Sequence, residues 1–344
     1  MKSLIATSVA ALMASALWVA NASASAVVTN GTVTLGIDDF GQLNIPGAPS
    51  PVDGTPFVGL RFNATGNEAT SHGCLCEGWG VGIANSGGIA IASGSANNNF
   101  GAPVNLSLVS FVFDTTSATS VVSMGGLLEI THAFAPSTSA NLYSVVVTIA
   151  NTSGVVIDDL RYTRTFDWDI EPDTFDEFVT IGGSAAATAV LLAIDNGFVS
   201  SDPFAARSSL LPGGTGDFVD LGDTNGDGIA DADIGTNFDF SFGSLGIDET
   251  FSFEIFYGAA LTEIGAISAL SSVLAEVYSL GQASCDPGGT GALCSGLATN
   301  TFMFGFRGVG GVVVPGVPLP GALIFLLSGL AALGGFKFRR HAAA

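Results

Sequence analysis

Strand-length runs of Val, Ile, Phe, Tyr and Thr recur along the chain, and glycine, asparagine and serine punctuate them. Tyr143-Ser144-Val145-Val146-Val147-Thr148-Ile149 is the cleanest; 57–62, 104–114, 119–124, 126–134 and 301–314 read the same way. Alternation or short apolar runs of this kind predict half-buried strands. Residues 27–45 predict early strands, 155–168 two more strand lengths, and the proline-rich 46–56 a loop. Asn151-Thr152-Ser153-Gly154 predicts a hairpin-type turn, and the glycine-punctuated stretch 74–82 a tight turn. One segment has a different period. Leu261, Ile264, Ile267, Leu270, Leu274, Val277 and Leu280 recur at three- and four-residue steps, with Gly281 where a C-capping glycine would stand. The pattern predicts a helix over about 261–280, packed on an edge or end of the strands. Turn signals between short strands point to an all-β class, a large antiparallel β-sandwich with one packed helix.

Both ends depart from this pattern. Lys2, the apolar run 4–20 and the small residues Ala22-Ser23-Ala24 and Ala24-Ser25-Ala26 have the layout of a cleavable signal peptide over 1–26. At the other end, Val317-Pro318-Leu319-Pro320 precedes an apolar run, 321–336, and then Lys337, Arg339 and Arg340. A transmembrane helix needs about 20 apolar residues, which 321–336 approaches and the apolar 312–317 can extend. The terminal arginines mark the cytoplasmic side, so the body 27–314 is expected outside. The prolines keep the preceding stretch extended.

This tail, 315–344, resembles the sorting signal of the PEP-CTERM group in its VPLPA variant. The residues that carry the likeness are Val317, Pro318, Leu319, Pro320, Arg339 and Arg340. Gly321 replaces the usual alanine, and His341 to Ala344 extend beyond the basic cluster. The resemblance implies processing near the proline motif by an exosortase-type membrane transpeptidase. It follows export through the Sec translocon and cleavage by signal peptidase in an exopolysaccharide-producing Gram-negative bacterium. The expected place is an inner-membrane intermediate, then the cell surface or matrix.

Charge narrows the partners. The body holds all 30 acidic residues against five arginines, Arg61, Arg161, Arg164, Arg207 and Arg307, and no lysine. A formal charge near −25 repels nucleic acid and attracts divalent cations, and it equally suits a saline habitat. Four cysteines, Cys74, Cys76, Cys285 and Cys294, fit an oxidising compartment. A Cys285–Cys294 loop is favoured and a strained Cys74–Cys76 bond is feasible. A metal or redox site that adds His72 is the competing idea.

The sharpest internal motif is Asp223-Thr224-Asn225-Gly226-Asp227-Gly228-Ile229-Ala230-Asp231. It places oxygens at loop positions 1, 3, 5 and 9, a backbone carbonyl at Ile229 and a glycine at position 6, as calcium loops do. It resembles the loops of EF-hand, dockerin and thrombospondin type 3 repeats. Ile234 stands where a bidentate glutamate is usual, and Asp233 is the substitute. The expected cofactor is structural calcium on Asp223, Asn225, Asp227, Ile229, Asp231 and Asp233.

A second cluster runs from Arg161 to Asp173. In an extended chain Asp167 and Asp169 share one face, and Phe166, Trp168 and Ile170 the other. The favoured reading pairs the acids with Arg161 and Arg164. The sharper ones are glycoside cleavage, sugar binding or a second calcium. His72 and His132 sit in no recognised catalytic motif. Two functions follow: a non-enzymatic, calcium-braced surface or matrix protein associated with envelope or exopolysaccharide, or an extracellular carbohydrate-active enzyme or binding module. Burial of Trp79 and Trp168 would count against the second.

Overall fold

The computed structural model describes residues 24–70, 72–74, 77–97, 102–284 and 300–316. Two antiparallel sheets pack face to face. The larger has nine strands in the order Phe218–Leu221, Glu177–Gly182, Val277–Ala283, Thr301–Arg307, Thr250–Ala260, Leu142–Asn151, Leu128–Pro136, Ala118–Met124 and Ser107–Phe113. The smaller has five: Val190–Ile194, Gly235–Ser241, Asp159–Asp167, Glu77–Ala84 and Ala90–Asn97. A three-stranded sheet, Ser25–Thr29, Val33–Asp38 and Leu60–Phe62, and a two-stranded one, Ile45–Pro46 with Phe57–Val58, complete the fold. The all-β sandwich expected from the strand pattern is observed.

Aromatic rings fill the space between the sheets. Phe166 and Phe238 of the small sheet meet Phe304 of the large one at 5.0 and 5.9 Å between ring centroids. Phe302, Phe304 and Phe306 are all buried. One fully buried ion pair lies in this layer. Arg164 Nε donates to Glu77 Oε1 at 2.5 Å, and Tyr257 Oη donates to the same oxygen at 3.1 Å from the opposite sheet. The Leu43 amide donates to Glu77 Oε2 at 2.7 Å, and Arg164 Nη2 reaches the Gly41 carbonyl at 3.2 Å. The pair therefore ties both sheets to the N-terminal segment. His132 lies beside it, its Nε2 3.0 Å from Tyr162 Oη; burial and then the Arg164 charge hold its pKa well below the usual histidine value.

The small sheet is covered on its outer face as well. Thr165 Oγ1 donates to the Gly197 carbonyl. Arg207 bonds Asp239 Oδ2 at 2.6 Å, the Ser200 and Asp202 carbonyls, and Thr163 Oγ1. This cover corrects the turn expected at 74–82. Glu77–Ala84 is a central strand, every residue of it buried. Gly80 and Gly82 leave room for the cover: a Cβ at Gly80 would stand 1.9 Å from the Ser201 carbonyl oxygen, and one at Gly82 would meet the Phe204 ring.

Two further expectations are corrected. The helix spans only Glu263–Ser272, capped by Thr262, whose side chain accepts from the Gly265 amide. Leu274 adopts φ +60°, which ends it, and Val277–Ala283 is a strand between Glu177–Gly182 and Thr301–Arg307. Leu261, Ile264 and Leu274 are exposed, so their spacing marks no buried stripe. Gly281 caps nothing; it lets the strand lie against Trp168, where a Cβ would meet the indole at 2.5 Å. The turn at 151–154 is no hairpin. It carries the chain from Leu142–Asn151 in the large sheet to Asp159–Asp167 in the small one, so 155–168 holds one strand.

At the N-terminal side, Ser25 and Ala26 already pair with Asp38 and Ile37. At the other end Val314 packs beside Leu270, its amide donating to the Ala275 carbonyl at 2.7 Å. No described helix is long and apolar enough to cross a membrane. The expected signal peptide through Ser23, and the expected tail from Val317 onward, lie outside the described residues.

Glu77→Gln strips Arg164 of its carboxylate inside the core, and an uncompensated buried charge costs about 3–5 kcal/mol. An unfolding free energy from urea titration lowered by that amount, with part recovered in the Glu77→Gln/Arg164→Met double variant, is the expected result.

Candidate metal centre

The strand Asp159–Asp167 ends where the chain bends beneath the large sheet. Phe166, Trp168 and Ile170 turn into the core. Trp168 Nε1 donates to Ser279 Oγ at 3.1 Å. The Asp169 and Glu171 amides donate to the Ala69 and Glu68 carbonyls at 2.9 and 3.0 Å. With the backbone pinned, Asp167 and Asp169 project to the other side, as the alternation predicts. Asp233 joins them from the approach to the neighbouring strand, where Asp167 pairs with Gly235. One carboxylate oxygen from each of Asp167, Asp169 and Asp233 lies within 4.8 Å of the others. Asp167 and Asp169 are 2% and 1% exposed, while Asp233 forms an open rim.

Neither arginine neutralises this group. Arg161 pairs with Asp159 at 2.6 Å and Arg164 with Glu77, so the expected pairing with Asp167 and Asp169 is not found. Glu177, fully buried, adds a fourth carboxylate whose charge acts on Asp167. Its Oε1 accepts from the Phe175 amide at 2.6 Å. Asp167 Oδ1, both oxygens of Asp169 and Glu177 Oε2 are buried with no donor in hydrogen-bonding geometry among the described residues. Burial, and then the charge of Asp169, push the Asp167 pKa well above the usual carboxylate range. Burial, and then Asp233, do the same to Asp169, with partial relief from His72. Burial and the Asp169 charge raise Glu177 to about 10.

A second group, Asp53, His72 and Glu171, is adjacent, and its members are paired with one another. His72 Nε2 stands 2.7 Å from Asp53 Oδ2 and 3.5 Å from Glu171 Oε1. Ser50 Oγ and the Glu68 amide donate to the two Glu171 oxygens at 2.5 and 2.7 Å. Burial alone would lower the His72 pKa, but Glu171 and Asp53 outweigh it and raise it. These two carboxylates favour the protonated imidazole, a cation of a kind that the first group does not hold among its own members.

The loop motif is arranged differently. The Asn225, Gly226 and Gly228 amides donate to the Asp223 carboxylate, and Thr224 and Asn225 donate to Asp231. Asn225 Oδ1 accepts from the Asp227 amide, and Asp227 Oδ1 accepts from that of Ile229. Asp223, Asp227 and Asp231 form no group of converging carboxylates among the described residues; Asp233 sits with Asp167 and Asp169 instead. Cys74 is disulfide-bonded, with its Sγ 3.2 Å from Asp167 Oδ2. Cys76, Cys285 and Cys294 lie outside the described residues. Sequence reasoning did not single out Glu177, a few residues beyond Asp169, because it belongs to a strand of the other sheet and only the packing of the two sheets brings it to the group.

No family model matches the chain, and no curated protein matches it. Among solved structures, a protein from Escherichia coli K12 named a "putative aldose 1-epimerase" is 12% identical, covering 86% of this chain and 96% of that one. Its TM-score of 0.28 supports no statement about fold or activity.

Glu177 ionises in the unfolded chain near 4.5 and in the folded one at about 10. Its stabilising contribution is full below 4.5 and is lost as pH rises toward 10. In chelator at pH 8, Glu177→Gln is therefore expected to raise Tm by about 2–4 °C, near 1 kcal/mol at this size. At pH 4 it should change little. A thermal scan at both pH values checks it.

Proposed function

We propose that the chain is an exported, non-catalytic surface or matrix protein, delivered by its C-terminal tail to an exosortase-type transpeptidase and stabilised by divalent cations. The observation that carries the reading within the body is the burial of both tryptophans. Trp79 and Trp168 are each 0% exposed and serve the core. Stacking on a sugar ring needs an open aromatic face, which the alternative, a carbohydrate-active enzyme or binding module, lacks at both residues. The surface hollows on either side of Arg307 hold about 190 and 300 Å³ and contain no tryptophan.

Export by the Sec translocon accounts for the apolar leader. Of the two small-residue sites, cleavage after Ala24 leaves the strand Ser25–Thr29 whole, while cleavage after Ala26 removes two paired residues. Tail anchoring, transfer near Val317-Pro318-Leu319-Pro320, calcium on the 223–233 loop and association with exopolysaccharide belong to the same reading. The body's negative charge supports the choice of cations, not nucleic acid, as partners.

Mass spectrometry of the native product should find an N-terminus at Ser25 and a C-terminus near Pro320. Pro318→Ala/Pro320→Ala should leave full-length protein in the membrane fraction; unchanged processing would refute sorting. Incubation with matrix polysaccharide should yield no new reducing ends, and their appearance would favour the enzyme.

A further inference from the structure

We propose that Asp167, Asp169 and Glu177, with Asp233 at the rim, form a divalent-cation site that braces the two sheets against each other. The site is separate from the 223–233 loop and goes beyond the calcium assigned to that loop.

Burying an ionised carboxylate without a partner costs several kcal/mol. This chain gathers three such groups where no arginine or lysine enters. The strongest mark is Asp169. It is 1% exposed, one of its oxygens lies in the converging group, and neither oxygen has a donor in hydrogen-bonding geometry among the described residues. Asp167 Oδ1 and Glu177 Oε2 are buried and open in the same way. The backbone at Asp169 is fixed by its amide bond to the Ala69 carbonyl, which holds that carboxylate in place. Nearby groups show that the fold supplies counter-charge where it needs one: Glu77 has Arg164, Glu171 has His72, and Asp239 has Arg207. Asp167 and Asp169 have no ion pair of their own among the described residues, and Asp169 draws only partial relief from His72.

The donor set selects the ion. All four groups are carboxylates, hard oxygen donors; Cys74, the neighbouring sulfur, is tied up in a disulfide and offers no thiolate. That favours calcium, magnesium or manganese over zinc or copper. Asp167, Asp169 and Asp233 converge, and Glu177 has one oxygen without a donor; with bidentate binding and water, such a set suits the six to eight ligands of calcium. Magnesium prefers one or two carboxylates and several waters. Asp233, exposed, gives the ion a way in. Because Asp167 belongs to the small sheet and Glu177 to the large one, a bound ion would join the layers directly.

The test uses the purified full chain in detergent, stripped with chelator. Calcium is titrated by calorimetry, with thermal scans beside it, in the wild type and in Asp169→Asn, Asp233→Asn and Asp223→Ala/Asp227→Ala. Expected results are a calcium-dependent rise in Tm in the wild type and at least a tenfold weaker affinity in Asp169→Asn. Asp233→Asn, at the exposed rim, should fold normally and weaken binding less. In chelator Asp169→Asn should match or exceed the wild-type Tm, since it removes a buried charge; this shows that its loss of calcium response is not misfolding. Lowering the pH from 8 to 6 should weaken binding, because protons compete for the carboxylates. The Asp223→Ala/Asp227→Ala variant should keep a calcium response. Loss of the whole response in that variant, with Asp169→Asn unaffected, would overturn the proposal and leave the loop as the site. No response to calcium in the wild type would also overturn it, as protons then serve in place of a cation. An equal response to magnesium would overturn the assignment to calcium. None of these outcomes depends on processing of the tail.

Discussion

The strand Asp159–Asp167 is buried on both faces, and much of the structure follows from that constraint. Tyr162, Arg164 and Phe166 face the inter-sheet layer; Thr163 and Thr165 face the covering segment around Gly197 and Arg207. A strand with no wet side must satisfy every polar group internally. Arg164 is matched by Glu77, Tyr162 by His132 and Thr163 by Asp239. The matching stops at the strand's end, where Asp167 and Asp169 stay buried without donors. A fold that partners the other polar groups of this strand and leaves its last acids open has concentrated negative potential in one dry place.

The two histidines make the contrast sharper. Burial and the Arg164 charge push the His132 pKa down. The carboxylates on either side of His72 push its pKa up against burial. The acid group beside His72 draws only partial relief from it.

The strand pattern made the fold class legible, because alternation such as that of 142–150 survives into the structure almost residue for residue. The errors have physical causes. Gly80 and Gly82 look like turn residues, yet they are the imprint of the segment around Ser201 to Phe204 resting on the strand. Leu261 to Leu280 has helical spacing, but spacing does not reveal which positions become buried; Leu274 leaves the helical region and the β-rich Val277–Ala283 joins the large sheet. The shared face of Asp167 and Asp169 was readable from period two. Their isolation from arginine was not, since Glu77 and Asp159 claimed the candidates from elsewhere in the sheet. Asp233 enters the site through the pairing of Asp167 with Gly235, far apart in sequence, which no local window contains; Glu177 is only a few residues past Asp169, but it belongs to the other sheet, and its approach depends on how the two sheets pack.

The seat of Val314 beside the helix also sets a mechanical limit. Its amide is fastened to Ala275, so the body lets go of the chain only after that residue. On the proposed reading the bilayer begins near Gly321, seven residues on. A fully stretched tether of that length reaches roughly 25 Å. The folded domain would therefore ride close to the lipid headgroups, and any enzyme gripping Pro318 and Pro320 would have to work in a gap about as wide as a small protein domain.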